Sequence, residues 1–176
     1  SQVLKLKRVE EMVELYYNSS QFAHTLPVLE KAFPDPFRLY EQLAEYYETK
    51  GYFVNNPARA YRYQVLLDFA LSADPDNMTL YRQLLTLDMY LRENLKSRPA
   101  FALPLREQQE AKEKINGFYR REECSPSFLK EYVEDGYNAR QMARMTHIEC
   151  FTLPVWEKEN PQGNGGGAVY YLLFDY

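Results

Sequence analysis

The 176-residue sequence predicts a mainly helical (α+β) domain, an irregular multi-helix bundle closed by a C-terminal antiparallel β-hairpin. Three observations carry this. Asp35-Pro36, Asn56-Pro57, Asp74-Pro75 and Ser125-Pro126 each set an N-capping side chain before a proline, which suits the first helical position. Apolar residues recur at helical spacing between these marks. From Thr146 the pattern changes to β-prone segments around a Gly-rich loop. Helices are expected over about residues 1–145 and the hairpin over 146–176, all in one domain.

Taken in order, Val9, Met12, Val13 and Tyr16 form the inward stripe of a first helix. Phe22 to Phe33 reads as a short helix with Pro27 in its first turn. Tyr40, Leu43, Ala44 and Tyr47 mark a third, ended by Gly51, since glycine suits the left-handed cap. Tyr63, Leu66, Leu67 and Ala70 mark a fourth. The longest stripe is Leu80, Leu84, Leu87, Leu91 and Leu95. Residues 106–122 form a charged helix with a weak apolar face, interrupted in propensity by Gly117. Phe128 to Val133 is a short helix stopping near Gly136, and Asn138 to Met145 is another. Thr146 to Val155 and Ala168 to Tyr176 are the two strands, joined by the polar loop 157–167. A lone hairpin is barely stable in water, so this one must pack on the helices or pair with another sheet.

Composition narrows the function classes. Lys+Arg 21 against Asp+Glu 25 gives a net charge of −4, so no broad positive field exists to gather nucleic acid. Arg140 and Arg144 sit among alternating charges, the pattern of a solvated helix face. The apolar runs fall far short of the ~20 residues needed to span a bilayer. Leu4-Lys5-Leu6-Lys7-Arg8 reads as charged helix rather than a secretory leader. The opening on Ser1 suggests a fragment cut from the C-terminus of a longer protein. Cys124 and Cys150 follow no metal spacing and are expected as reduced thiols of a cytoplasmic protein. Tyr 16, Phe 10 and Trp 1 make 15% of the chain aromatic. Tyrosine packs a ring while its hydroxyl stays polar, so these residues suit a core edge or an interface.

No catalytic or metal motif is complete. The Gly cluster 163–167 follows Pro161 and lacks the strand–turn–helix setting of a phosphate loop. Cys-x-x-Cys, His-Glu-x-x-His and His-x-His are absent. His24 and His147 are the two groups that titrate near neutrality; His147, at the start of a strand, reads as structural. The most polar and aromatic stretch follows the first helix. There Tyr17, Asn18, Ser19, Gln21 and His24 offer donors, acceptors and a titratable ring within eight residues. They make a candidate substrate or interface site, or simply the turn between two helices. Arg62 would add an anion contact if the fourth helix lies alongside. Asp88 borders the Leu84–Leu91 stripe and needs a partner, with Arg59 and Arg62 as the candidates. Cys124 precedes a helix start that favours a thiolate, without a histidine close in sequence.

Three stretches together resemble a known family: Tyr16-Tyr17-Asn18-Ser19-Ser20-Gln21-Phe22 with His24-Thr25-Leu26, Pro36-Phe37 through Leu43-Ala44-Glu45-Tyr46-Tyr47, and Leu173-Phe174-Asp175-Tyr176. They are similar to the C-terminal domain of unknown function in bacterial proteins that carry a cobalamin-binding domain followed by a radical SAM barrel. The likeness spans nearly the whole chain. It implies a non-catalytic accessory domain that helps shape or close an active site, or binds its substrate, with those two domains of the same chain as partners. An iron–sulfur cluster, S-adenosylmethionine and cobalamin are implied for the full-length protein and for no residue here, since the cluster's Cys-x-x-x-Cys-x-x-Cys is absent from this chain. Two other classes stay open. One is a stand-alone adaptor holding a peptide or protein in a Tyr-rich groove. The other is a small enzyme using His24 with Asp88.

Overall fold

The computed structural model describes residues 1–102 and 108–176, with only the backbone of Gln108. Helix α1 (Gln2–Met12) is capped by the Ser1 hydroxyl on the Leu4 N–H. It widens into a π-helical stretch, Val13–Asn18, and Val9, Met12 and Tyr16 all face the core. The short α2 (Thr25–Glu30) carries Pro27 in its first turn, where the missing N–H leaves no helical bond unmade. Asp35 caps α3 (Pro36–Lys50) by accepting the Arg38 N–H at 2.9 Å, and Gly51 closes it at φ +72°.

The other three cap–proline pairs act differently. Pro57 is buried in extended chain, and α4 (Arg62–Ala73) starts only after a 3-10 turn at Arg59–Tyr61. Asp74-Pro75 opens a 3-10 turn, Pro75–Asn77, that leads into α5 (Met78–Glu93); the Asp74 carboxylate accepts from Asn77 and from the Tyr81 hydroxyl. After α6 (Gln108–Cys124), Ser125 caps nothing. The buried Glu122 carboxylate instead takes the N–H groups of Ser127, Phe128 and Leu129 ahead of α7 (Lys130–Glu134). Residues 106 and 107, expected in the charged helix, lie outside the described residues; α6 itself runs unbroken through Gly117. Asn138 and Gln141 form a reciprocal capping box on α8 (Ala139–Met145).

Strands β1 (Thr146–Phe151) and β2 (Tyr170–Asp175) pair antiparallel, with Thr146 opposite Asp175 and Phe151 opposite Tyr170. The hairpin lies between two helical layers. Phe151, Tyr170, Leu172 and Phe174 face the main core of α1–α5, whereas Ile148 and Leu173 face a smaller core with Tyr119, Leu129 and Met142. Burial on both faces explains why β2 reads as a continuous apolar run, and it supplies the packing a lone hairpin lacks. The α5 stripe ends earlier than its leucines suggest: Leu91 is exposed, and Leu95 follows the left-handed Asn94 outside the helix. Tyr81, Leu85 and Tyr90 fill the buried face instead.

Much of the tyrosine content, including Tyr40 and Tyr119, is buried in the core. Tyr16, Tyr47, Tyr63, Tyr81 and Tyr90 are fully buried, and each hydroxyl has a partner. Tyr16 pairs with Tyr47, Tyr63 with Glu93, Tyr81 with Asp74 and Tyr90 with Glu149. Glu149 is 2% exposed and anchors β1 to the bundle through Tyr90 and Arg98. Burial opposes its ionisation, but the bonds from His147, Tyr90, Arg98 and the Cys150 N–H hold its pKa below the ordinary carboxylate range.

Candidate functional site

The polar stretch after α1 folds as a tight turn whose residues divide between outside and inside. Tyr17 is 60% exposed. Asn18 is exposed, and its amide donates to Glu14 one helical turn back at 2.7 Å. The Ser19 hydroxyl accepts the Gln21 N–H at 3.2 Å, a local helix-ending bond. Ser20 follows at φ +56°, a left-handed conformation uncommon for a residue other than glycine.

Gln21 and His24 point inward. Gln21 is wholly buried; its amide donates to the Arg59 carbonyl at 3.0 Å, and its side-chain carbonyl has no partner. His24 is tied to Asp88, which is 1% exposed. That carboxylate accepts the His24 N–H, the Thr25 N–H at 2.9 Å and the Thr25 hydroxyl at 2.7 Å. His24 Nδ1 lies 2.9 Å from the same carboxylate and is therefore its donor. This corrects the expectation that Arg59 or Arg62 pairs with Asp88: Arg59 pairs with Glu93 at 2.8 Å. The physical reason is the start of α2, whose free N–H groups meet α5 and need an acceptor there.

Arg62, in the first turn of α4, sits behind the turn. Its guanidinium acts electrostatically on the Tyr16 and Tyr47 hydroxyls, whose acidity burial suppresses, and its buried Nε has no hydrogen-bond partner.

Outside the turn lies an open cleft of about 480 Å³. Buried Tyr16, Phe22 and Leu26 form its apolar side; Tyr17, Asn18, Ser20 and Glu30 supply its polar groups. The structure thus brings Tyr17 and Asn18 into one cleft with Glu30. It places Ser19, Gln21, His24 and Arg62 outside the lining, where the first three hold the turn's shape. Sequence reasoning missed Glu30, which lines the cleft, and the buried Tyr40 near it, which does not. Both come from later helices, and no local signal ties them to the turn. Tyr40 is 5% exposed with an unpartnered hydroxyl; burial, then the nearby Glu30 carboxylate and Tyr17, push its pKa up out of the ordinary range. A further opening of about 610 Å³ lies between α6 and the hairpin, walled chiefly by Ile115, Phe118, Phe128, Ile148 and Leu173.

Among the described residues, no group of three or more His, Cys, Asp or Glu side chains is placed to hold a metal ion. Both cysteines are free thiols, and no described helix is long and apolar enough to cross a membrane. The carboxylate–imidazole pair of His24 and Asp88 can orient a ring nitrogen, but that ring does not line the cleft.

A mainly helical domain with a sandwiched hairpin and an open polar cleft defines an architecture rather than an activity. The chain belongs to the family described as protein of unknown function DUF4080, which matches residues 1–174. Neither the curated proteins nor the solved structures contain a match to it.

Proposed function

We propose that this chain is a non-catalytic accessory domain, like the one that follows the radical SAM barrel in cobalamin-binding proteins, and that it meets substrate or the barrel through the Tyr17–Asn18 cleft. The observation that carries the reading is the division within the turn. Ser19, Gln21 and His24 are spent on holding its shape, which leaves Tyr17 and Asn18 presented at an open cleft. An aromatic ring with polar neighbours on a rigid frame is the ordinary make-up of a binding surface. The iron–sulfur cluster, S-adenosylmethionine and cobalamin belong, in this reading, to the preceding domains, and the accessory domain limits water at the open side of the barrel.

Two tests apply. The parent gene is expected to encode Cys-x-x-x-Cys-x-x-Cys upstream of this chain; a gene without it contradicts the assignment. In the full-length protein, Tyr17→Ala and Asn18→Ala are expected to lower turnover without lowering the melting temperature.

A further inference from the structure

The smaller core leaves an apolar surface uncovered. The opening of about 610 Å³ between α6 and the hairpin is walled by Ile115 and Phe118 on α6 and by Ile148 and Leu173 on the strands, all only half-buried. A second hollow, of about 400 Å³, adjoins it at the C-terminal end of α6. Phe118, Arg121 and Phe128 line both, so they stand as a ridge between the two hollows.

Phe128 is the apolar crest of that ridge. Its ring is 75% exposed, more than any other aromatic ring among the described residues. Its backbone is nevertheless fixed: the Glu122 carboxylate, 4% exposed, accepts the N–H groups of Ser127, Phe128 and Leu129 at 2.9–3.0 Å. That these bonds also lead into α7 accounts for the carboxylate; it does not account for a phenylalanine held out in water. An aromatic anchor on a fixed backbone loses little freedom when a partner covers it, and such residues carry most of the energy of an interface.

Charge gives the partner its character. The larger hollow is lined by Lys114 and Arg121 and by no carboxylate. Lys114 already pairs with Glu110 at 3.0 Å. Arg121 makes no side-chain hydrogen bond or ion pair among the described residues. Its guanidinium lies back along α6, 3.3 Å from where a Cβ would stand at Gly117, a space that any other residue would fill. It acts electrostatically on Glu122, but the oxygens of that carboxylate are taken by the three N–H groups.

We propose that this surface docks an amphipathic, acidic helix of a partner protein. Phe118 and Arg121 follow the helical rows of α6, onto which a second helix packs its own rows. Apolar side chains one turn apart on the partner, about 5–6 Å from each other, enter the two hollows on either side of Phe128. An acidic residue beside them meets Arg121. A basic helix would bring a like charge to Arg121 and Lys114. The surface shares no residue with the Tyr17–Asn18 cleft, so it extends the protein's contacts beyond the accessory-domain reading.

The test is a titration of the 176-residue chain with the capped peptide acetyl-AEELLKALEELLKA-amide, followed by amide chemical shifts. Saturable shifts are expected at Ile115, Phe118, Phe128 and Leu173. The same peptide with every Glu and Lys exchanged is expected to bind more weakly. The chain's net charge of −4 favours the opposite order, so a preference for the acidic peptide reports the groove itself. Phe128→Ala is expected to weaken binding about tenfold at an unchanged melting temperature, since its ring is mostly in water. Arg121→Gln is expected to weaken the acidic peptide about threefold and to shrink its advantage over the exchanged one. Replacing the peptide's central leucine by proline is expected to abolish binding. No saturable shift with the acidic peptide, equal or tighter binding of the exchanged or the proline peptide, or unchanged affinity in Phe128→Ala would overturn the proposal.

Discussion

Asp88 is the residue on which the turn depends most. One buried carboxylate satisfies two backbone N–H groups, a threonine hydroxyl and an imidazole nitrogen. Removing it strands several buried donors, each costing about 1–3 kcal/mol in isolation. Asp88→Ala is therefore expected to lower the unfolding free energy by about 3–5 kcal/mol, the range for breaking a buried charged contact. Urea denaturation measures this directly; a loss under about 1 kcal/mol would mean the turn relaxes to water. The turn itself is legible in the sequence, because Asn18, Ser19 and Gln21 follow an apolar stripe. Its anchor is not: Asp88 lies 64 positions from His24, and nothing local favours the α2 backbone over Arg59. Tyr40 stayed hidden for a similar reason, since its place in the α3 stripe explains the ring and says nothing of the hydroxyl.

Among the elements, the helices were legible from periodicity, and their ends only in part. Asp35 caps as its sequence suggests, because its side chain reaches the Arg38 N–H at once. Ser125-Pro126 carries the same signal, yet Glu122 from the preceding helix already fills the acceptor role before α7. Burial opposes charge on Glu122, but the three N–H bonds and Arg121 outweigh it and keep its pKa low. Glu122→Ala is expected to free the segment 125–136, costing about 1–3 kcal/mol and raising amide exchange at Ser127, Phe128 and Leu129 first. Exchange unchanged there would show that α7 is held by packing on Tyr119 and Met142 alone. The hairpin's identity was plain from β-prone composition. Its double-sided burial was foreshadowed by the run Tyr170–Phe174, where a one-faced strand would alternate with polar residues.

At the scale of the whole molecule, buried tyrosines and carboxylates set the pH range of stability. Tyr46 and Tyr176 are pushed up to about 12, by burial first and then by neighbouring groups, and Tyr16, Tyr63, Tyr81 and Tyr90 are raised further by burial. Each raised group keeps its proton in the folded state after the unfolded chain has lost it near pH 10.0. The stability it contributes is therefore complete below that value and falls as pH rises beyond it. Glu122 and Glu149 act oppositely. Their pKa values lie below the ordinary 4.5, so their contribution is complete above that value and is lost as pH falls through the folded-state value. A plateau in melting temperature between about pH 5 and 10 is expected, with the steeper fall on the alkaline side where more groups act. A steady decline from pH 7 to 10 would contradict it.

The same whole-molecule view bears on function. A frame this firmly tied, with an open cleft at Tyr17 and Asn18, is read as serving something outside itself. The most direct measurement compares turnover and melting temperature of the full-length protein with those of its Tyr17→Ala and Asn18→Ala variants. The accessory-domain account predicts turnover lowered at least about tenfold, a transition-state loss near 1.4 kcal/mol, at a melting temperature unchanged from the parent. Full turnover in both stable variants, or activity lost only in step with unfolding, would contradict it.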